Sequence, residues 1–240
     1  MTATATLSLA DIGMSALQAF SLLKKYVLRW FGLAIAFLVA VESLMFIPYV
    51  GFMLKLALSS FLSAQFLLLF READSGRAPG ITGLLAAYKV PITAMLLLIV
   101  ASWCMLACGI VWLCLGDDPQ SVRYFFGNIF VDTPPTADSF FRFKLVLYVV
   151  GVVFAFLAPI LVLTNTAVGE APKRAVKAAL TNIPLLILSL VISIGFEYLM
   201  NKMPALGMPG VALSLMALIL FIMWGFAFAY TTSIRVLNLR

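Results

Sequence analysis

The chain has 240 residues, of which 64% are hydrophobic and 11% are charged, and its mean hydropathy is +1.11. Soluble domains are about half apolar and about a quarter charged, so this composition excludes a soluble globular domain. The formal net charge is +6 and histidine is absent, which removes the commonest general base and most zinc chemistry.

Apolar runs of about 20 residues, the length that a helix needs to cross a bilayer, recur along the chain. The alternating segments of about ten residues that mark a membrane β-barrel do not appear. The sequence therefore predicts an all-α, polytopic membrane protein with six transmembrane helices and about three amphipathic helices on the cytoplasmic side. The predicted spans are 29–47, 50–70, 91–115, 143–163, 183–200 and 209–230.

The first predicted element is an amphipathic helix over residues 8–25. Its start, Ser8-Leu9-Ala10-Asp11, has the form of a capping box, and its basic end suits the negative end of a helix dipole. The predicted apolar side is Leu9, Ile12, Ala16, Leu17, Phe20 and Leu23, and the predicted polar side is Asp11, Ser15, Gln18, Lys24 and Lys25. We expect this helix to lie in the cytoplasmic membrane interface. Residues 1–23 lack the basic start of a cleavable signal, so the first span is expected to direct insertion.

The first two spans form a helical hairpin, 29–70, with a tight turn at Ile47-Pro48-Tyr49-Val50-Gly51. Glu42 lies six residues before Pro48 and Lys55 lies seven residues after it. At a rise of 1.5 Å per residue both side chains lie about 9–10 Å from the turn. Because an ionisable residue within a span costs about 2.5–3.5 kcal/mol, we expect an intramembrane ion pair. The pair has two interpretations, fixing the register of the two helices or contacting a substrate in a polar cavity.

A repeat with an offset of 93 residues follows the hairpin. Gly76-Arg77-Ala78-Pro79 stands twelve residues before Pro91, and Gly169-Glu170-Ala171-Pro172 stands twelve residues before Pro184. A short basic amphipathic stretch lies between the prolines of each copy, where proline suits the first helical turn. The domain prediction is a single membrane domain, 1–240, with the amphipathic helix at 8–25, the hairpin at 29–70, repeat unit one at 76–163 and repeat unit two at 169–230.

The third predicted span carries all three cysteines, Cys104, Cys108 and Cys114. Cys104 and Cys108 share a helix face. They could form a metal-binding or redox pair, or they could simply be buried as small apolar side chains. Three cysteines within one helix cannot form a disulfide framework.

The longest predicted loop, about 116–142, is acidic and strongly aromatic. Aromatic rings favour the headgroup level of a membrane, and a long loop is a natural place for a partner contact on the outer side. The candidate contact residues are Tyr124, Phe125, Phe126, Phe130, Phe140 and Phe141. The aspartates of this loop lack the spacing of a calcium site, so no metal is predicted.

The distribution of lysine and arginine predicts the orientation. With the N-terminus inside, the inner segments hold eleven of these residues and the outer segments hold four, so both termini are predicted to be cytoplasmic. This bias accounts for the net charge without a nucleic acid, and it attracts anionic lipid. The candidate residues for lipid head groups are Lys24, Lys25, Lys89, Lys173, Arg174 and Lys177.

Over nearly its whole length, the chain resembles bacterial six-helix inner-membrane proteins related to the membrane domain found beside some glycerophosphoryl diester phosphodiesterases. The resemblance rests on Lys24-Lys25-Tyr26, on the turn at 47–51, on Ala158-Pro159-Ile160-Leu161-Val162 and on the segment 175–182. It implies a multi-pass fold in the bacterial inner membrane. The hydrolase of that family lies in a separate soluble domain, so the resemblance argues against the diesterase reaction here.

The leading functional hypothesis is a non-enzymatic membrane protein without a cofactor. It would be an accessory, scaffold or assembly subunit that contacts lipids and other membrane proteins, because the sequence contains no nucleophile–base constellation, metal cluster or phosphate loop. The alternative is a transporter or lipid-translocating carrier that uses the Glu42–Lys55 hairpin, since repeats and charges within spans are features of transporters. Glu197 is a weaker candidate for a functional charge within a span, because it lies near the outer end of its helix. A membrane enzyme is the third hypothesis, but the adjacent Asp117 and Asp118 do not share a helix face.

Overall fold

The computed structural model describes residues 4–47, 50–84, 90–115, 137–164 and 166–239. These residues are helical almost throughout, and no strand occurs among them. Their α-helices, numbered in chain order, are α1 (Leu9–Lys25), α2 (Val27–Ser43), α3 (Gly51–Asp74), α4 (Ile81–Leu84), α5 (Ile92–Leu115), α6 (Ala137–Phe154), α7 (Leu157–Leu163), α8 (Ala171–Thr181), α9 (Ile183–Lys202) and α10 (Met208–Val236). Short 3-10 helices, Leu44–Phe46 and Met203–Leu206, extend α2 and α9.

Among the described residues, five helices are long and apolar enough to cross a membrane. They are Val27–Phe46, Gly51–Asp74, Ile92–Trp112, Ile183–Met200 and Met208–Val236. They coincide with five of the six predicted spans. The remaining predicted span, 143–163, is not one continuous helix, because α6 ends at Phe154 and α7 begins at Leu157. Pro159 explains the interruption, since it has no N–H to donate to the Ala155 carbonyl and its ring clashes with that carbonyl.

An aromatic core joins α2, α3 and α10. We use this name for Trp30, Phe37, Phe66, Phe70, Phe226 and Tyr230. The rings of Trp30 and Phe70 stack at 4.0 Å between centroids, and those of Phe66 and Phe226 stack at 4.6 Å. Trp30, Phe66 and Phe70 have no exposed surface, so the hairpin and the last helix form one packed unit.

Helix α9 packs much less closely against the bundle. Only 11% of the residues in its most apolar stretch are buried, whereas 28% to 33% of the corresponding residues are buried in the other four candidate spans. Its main aromatic contact is the stack of Phe196 on Phe221 of α10, with ring centroids 3.9 Å apart. Nearly all residues of α9 are therefore exposed or half-buried.

Helix α1 occupies the range predicted for it, but its buried side differs from the prediction. It packs against α10 through a side that includes Ser15 and Ala19, neither of which has exposed surface. Leu9, Leu17 and Phe20, assigned to one apolar side with Ile12 and Leu23, are 77%, 68% and 64% exposed. Small residues allow the two helix backbones to approach closely, which explains why they face the protein. The assignment of Ser15 to the polar side is wrong, because Ser15 faces the protein and has no exposed surface. Its hydroxyl donates to the Asp11 carbonyl at 2.9 Å, which satisfies it inside the bundle.

The two copies of the repeat have related local structures. In the first copy α4 follows Pro79, and α5 begins directly after Pro91. In the second copy α8 contains Pro172, and Pro184 lies in the first turn of α9. In both copies a helix begins within two residues of the first proline, and a long apolar helix begins within one residue of the second.

Candidate functional site

The structure brings the predicted ion pair, Glu42 and Lys55, into direct contact. The Lys55 ammonium donates to both carboxylate oxygens of Glu42, at 2.8 and 2.7 Å. The Glu42 side chain is 54% exposed and that of Lys55 is 24% exposed. Neither residue lines the α9 cavity, the serine-rich cavity or the groove at the start of α2 that are described below, so the geometry favours a link between the two helices of the hairpin.

The N-terminal segment, residues 4–8, is fastened to the bundle by Asn182. This side chain is buried at the junction of α8 and α9, where its amide oxygen accepts from the Leu7 N–H at 2.9 Å. Its amide nitrogen donates to the carbonyls of Ala5 and Ala178 at 3.1 and 3.0 Å. In the sequence, Asn182 stands out only as the end of the segment 175–182, because nothing local indicates a contact with a segment 175 residues away.

Polar contacts also connect α1 to the end of α10. The Thr231 hydroxyl donates to the Ser15 carbonyl at 2.9 Å, and Arg235 lies 3.7 Å from the Asp11 carboxylate. The capping box at Ser8 is complete. Hydrogen bonds from the side chain and backbone of Ser8 hold the pKa of Asp11 below its usual value of 3.8, and Arg235 adds to this effect. The end of the bundle that contains the start of α1 and the end of α10 is therefore held together by contacts between residues far apart in the chain.

The predicted head-group residues lie mainly on the outer surfaces of α1 and α8. Lys24, Lys25, Lys173 and Lys177 are exposed, and Lys89 lies outside the described residues. Arg174 is half-buried, and its guanidinium donates to the Thr166 hydroxyl.

The outward side of α8 combines basic and apolar residues. Val176 and Leu180 are 37% and 65% exposed, beside Lys173 and Lys177. Ala179, in contrast, is buried against the protein. Like α1, α8 therefore places small residues inward and larger apolar residues outward, an arrangement that suits contact with lipid.

The predicted aromatic contact residues fall largely outside the described part of the chain. Tyr124, Phe125, Phe126 and Phe130 lie in the undescribed range 116–136, and the side chain of Phe140 is not described either. Phe141 is part of α6 and is half-buried. A partner contact at this loop stays a prediction.

Two cavities lie among the candidate spanning helices. The larger, about 370 Å³, is bounded by α6, α9 and α10 and is mostly apolar; we call it the α9 cavity. Hydroxyl groups on its walls belong to Tyr148, Ser189, Ser193, Thr232 and Ser233. The smaller, about 260 Å³, contacts Ser59, Ser60, Ser63 and Ser102. Met105, Leu147 and Gly151 line both, so the two spaces adjoin in the middle of the bundle.

Two further polar groups lie within the helical bundle. Glu197 hydrogen-bonds to the Tyr148 hydroxyl at the edge of the α9 cavity, a contact between α6 and α9 that the sequence analysis did not anticipate. Gln65 on α3 is fully buried, and its amide atoms have no hydrogen-bond partner among the described residues. In the sequence, the signal that marks these two residues is their polarity within otherwise apolar runs.

The cysteines that the structure describes face away from the cavities. Cys104 and Cys108 are exposed free thiols on α5, and neither lines the α9 cavity or the serine-rich one.

Comparison of the chain with known proteins finds no match among protein families, curated proteins or solved structures. The resemblance to the diesterase-associated membrane domain therefore stays a prediction.

Proposed function

We propose that this chain is a non-enzymatic, integral protein of the bacterial inner membrane that acts as an accessory or assembly subunit of a membrane complex. Its proposed topology has six spans and cytoplasmic termini, with α6 and α7 together forming the fourth span. Its α1 and α8, and the helix that begins at Ile81, lie along the cytoplasmic leaflet and contact lipid.

The outward side of α1 carries this proposal. Leu9, Leu17 and Phe20 are each more than 60% exposed, although α1 is fastened to α10 on its other side. Large apolar side chains that point away from a packed bundle, next to Lys24 and Lys25, have the composition of an interfacial membrane helix. An apolar lipid environment removes the cost of exposing these side chains to water.

Purification in particles that retain native lipid tests the proposal. We expect the wild-type chain to isolate with a defined set of membrane proteins, and a Leu17→Glu, Phe20→Glu variant to lose them while its helical bundle stays folded. Ser21→Glu is the matched control, because Ser21 is exposed at another position of α1. Isolation of the wild-type chain alone, with lipid of bulk composition, would contradict an accessory role.

A lipid-translocating carrier is the second candidate, and the α9 cavity is the observation that favours it. The cavity lies beside the least buried candidate span, which allows entry from the side. A Cβ at Gly225, on the cavity wall, meets no atom within 4 Å, so the side chain of Gly225→Leu starts in open space and reduces the volume of the cavity. A carrier predicts lipid flux in proteoliposomes that Gly225→Leu and Glu42→Gln both reduce; absence of flux in the wild type excludes it.

A further inference from the structure

We propose that a groove at the start of α2 binds an anionic phospholipid of the cytoplasmic leaflet, with its phosphate on Arg29. The groove, which we call the Arg29 groove, has a volume of about 390 Å³. It lies between Leu28, Arg29, Gly32 and Leu33 of α2 and the segment Pro79–Ile81. Arg29 was not among the predicted head-group residues. The inference rests on the proposed contact of this end of the protein with lipid.

The position of Arg29 matches the level of lipid phosphates. It lies in the first turn of α2, where the first candidate span begins. The predicted cytoplasmic N-terminus assigns this end of the span to the cytoplasmic leaflet. Arg29 is exposed, and one of its N–H groups donates to the Pro79 carbonyl at 3.4 Å. This contact leaves other donors of the guanidinium available, since arginine has five N–H groups.

The charge around the groove selects an anion. Arg29 forms no salt bridge with any carboxylate in the described part of the chain. Lys25, the last residue of α1, and Arg77, just before Pro79, are also exposed. A planar guanidinium binds phosphate through two parallel hydrogen bonds, which explains why the proposed contact is Arg29 and the lysine contributes only long-range attraction.

The walls of the groove suit a lipid chain better than a free ion. Leu28 and Ile81, which both line the groove, are 86% and 57% exposed. A Cβ added at Gly32 would meet no atom within 4 Å, so the floor of the groove is open beside the helix backbone. An anionic head group with attached acyl chains satisfies both the cation and these apolar walls.

The test measures how many lipid molecules the full-length chain retains. The chain is reconstituted in phosphatidylcholine vesicles that contain a minor fraction of phosphatidylglycerol, extracted gently, and examined by native mass spectrometry. We expect the wild type to retain phosphatidylglycerol in preference to phosphatidylcholine. Arg29→Gln should reduce this preference about fivefold, the effect of one basic residue near an anionic surface. Arg29→Lys should restore only part of it.

Gly32→Leu and Lys202→Gln complete the design. Gly32→Leu keeps the charge but fills the groove, so it should also release the lipid; because a Cβ added at Gly32 meets open space in a helix, the variant should not unfold the chain. Lys202→Gln removes an exposed charge from the end of α9, away from the proposed head-group residues, and should leave the preference unchanged. Equal effects of Arg29→Gln and Lys202→Gln, or full retention in Gly32→Leu, would overturn the site. Those results would leave the α1 test of the proposed function unaffected.

Discussion

The helices that contact α10 differ sharply on its two sides. On one side α1, α2 and α3 join it through the aromatic core and through hydrogen bonds such as Thr231 to Ser15. On the other side α9 makes few contacts and leaves the α9 cavity. In a bilayer, apolar area alone does not drive helices together, because lipid is equally apolar. Close packing and polar contacts therefore determine which side is rigid, and the other side is left for lipid or a partner.

The largest effect is expected in the aromatic core. Trp30→Ala removes a fully buried ring that stacks on Phe70 and donates to the Leu22 carbonyl at 3.3 Å. We expect a loss of about 3–5 kcal/mol in the free energy of unfolding, measured in mixed detergent micelles. Trp112→Ala is the control, since Trp112 is 53% exposed on α5. Equal losses for the two variants would show that the core is no more tightly packed than the periphery.

A smaller effect is expected where the N-terminal segment is fastened. Asn182→Ala leaves the Leu7 N–H and the Ala5 carbonyl without their partner, which should cost about 1–3 kcal/mol. Hydrogen exchange at residues 5–7 should accelerate, while exchange in α9 changes little. Thr181→Ala, which removes an exposed hydroxyl bonded only within its own helix, provides the comparison. Unchanged exchange at residues 5–7 in Asn182→Ala would be incompatible with the observed contacts.

The ion pair of the hairpin should contribute less. Glu42→Ala and Lys55→Ala should each lower the free energy of unfolding by about 1 kcal/mol, because both side chains are partly exposed. The double variant should be milder than either single change, since each single change leaves one charge unpaired at the membrane. Losses measured in the same detergent system form a double-mutant cycle. A double variant worse than the sum of the singles would exclude a pairwise role.

The smallest effect should be acid-dependent and confined to the first turn of α1. The pKa of Asp11 is lowered in the folded chain, so its contribution is fully present above its usual value of 3.8 and is lost as the pH falls through the lowered pKa. Hydrogen exchange in this turn, corrected for intrinsic rates, should therefore increase only below about pH 3.8. Asp11→Asn should abolish this acid-dependent increase in hydrogen exchange. Glu170→Gln, at the start of α8 where no side-chain cap forms, should leave it intact.

Local signals in the sequence predicted most elements and the contact across the hairpin, but they missed the contacts between segments that are distant in the chain. The capping box at Ser8 fixed the start of α1, and helix geometry placed Glu42 and Lys55 at the same depth. Pro159 was visible in the sequence, but its apolar surroundings favoured an unbroken span. Contacts such as Asn182 with Leu7 join distant segments, and no local pattern encodes them.

The sides of a membrane-associated helix are harder to assign than its ends. Hydrophobic periodicity shows which residues avoid water, but it does not distinguish a side that faces lipid from one that faces protein. In α1 this ambiguity assigned Phe20 and Ile12 to the same side, although only Ile12 is buried in the bundle. Small residues such as Ala19 are the better sign of a protein-facing side.

The depth of α1 in a lipid bilayer tests the central claim most directly. With the native cysteines replaced by alanine, single spin labels at Phe20 and at Gln18 report contact with oxygen, which concentrates in lipid, and with a water-soluble nickel complex. We predict that the label at position 20 meets oxygen and is shielded from nickel, whereas the label at position 18, on the opposite side of α1, shows the reverse. Equal access of nickel to both positions would contradict a lipid-facing surface on α1.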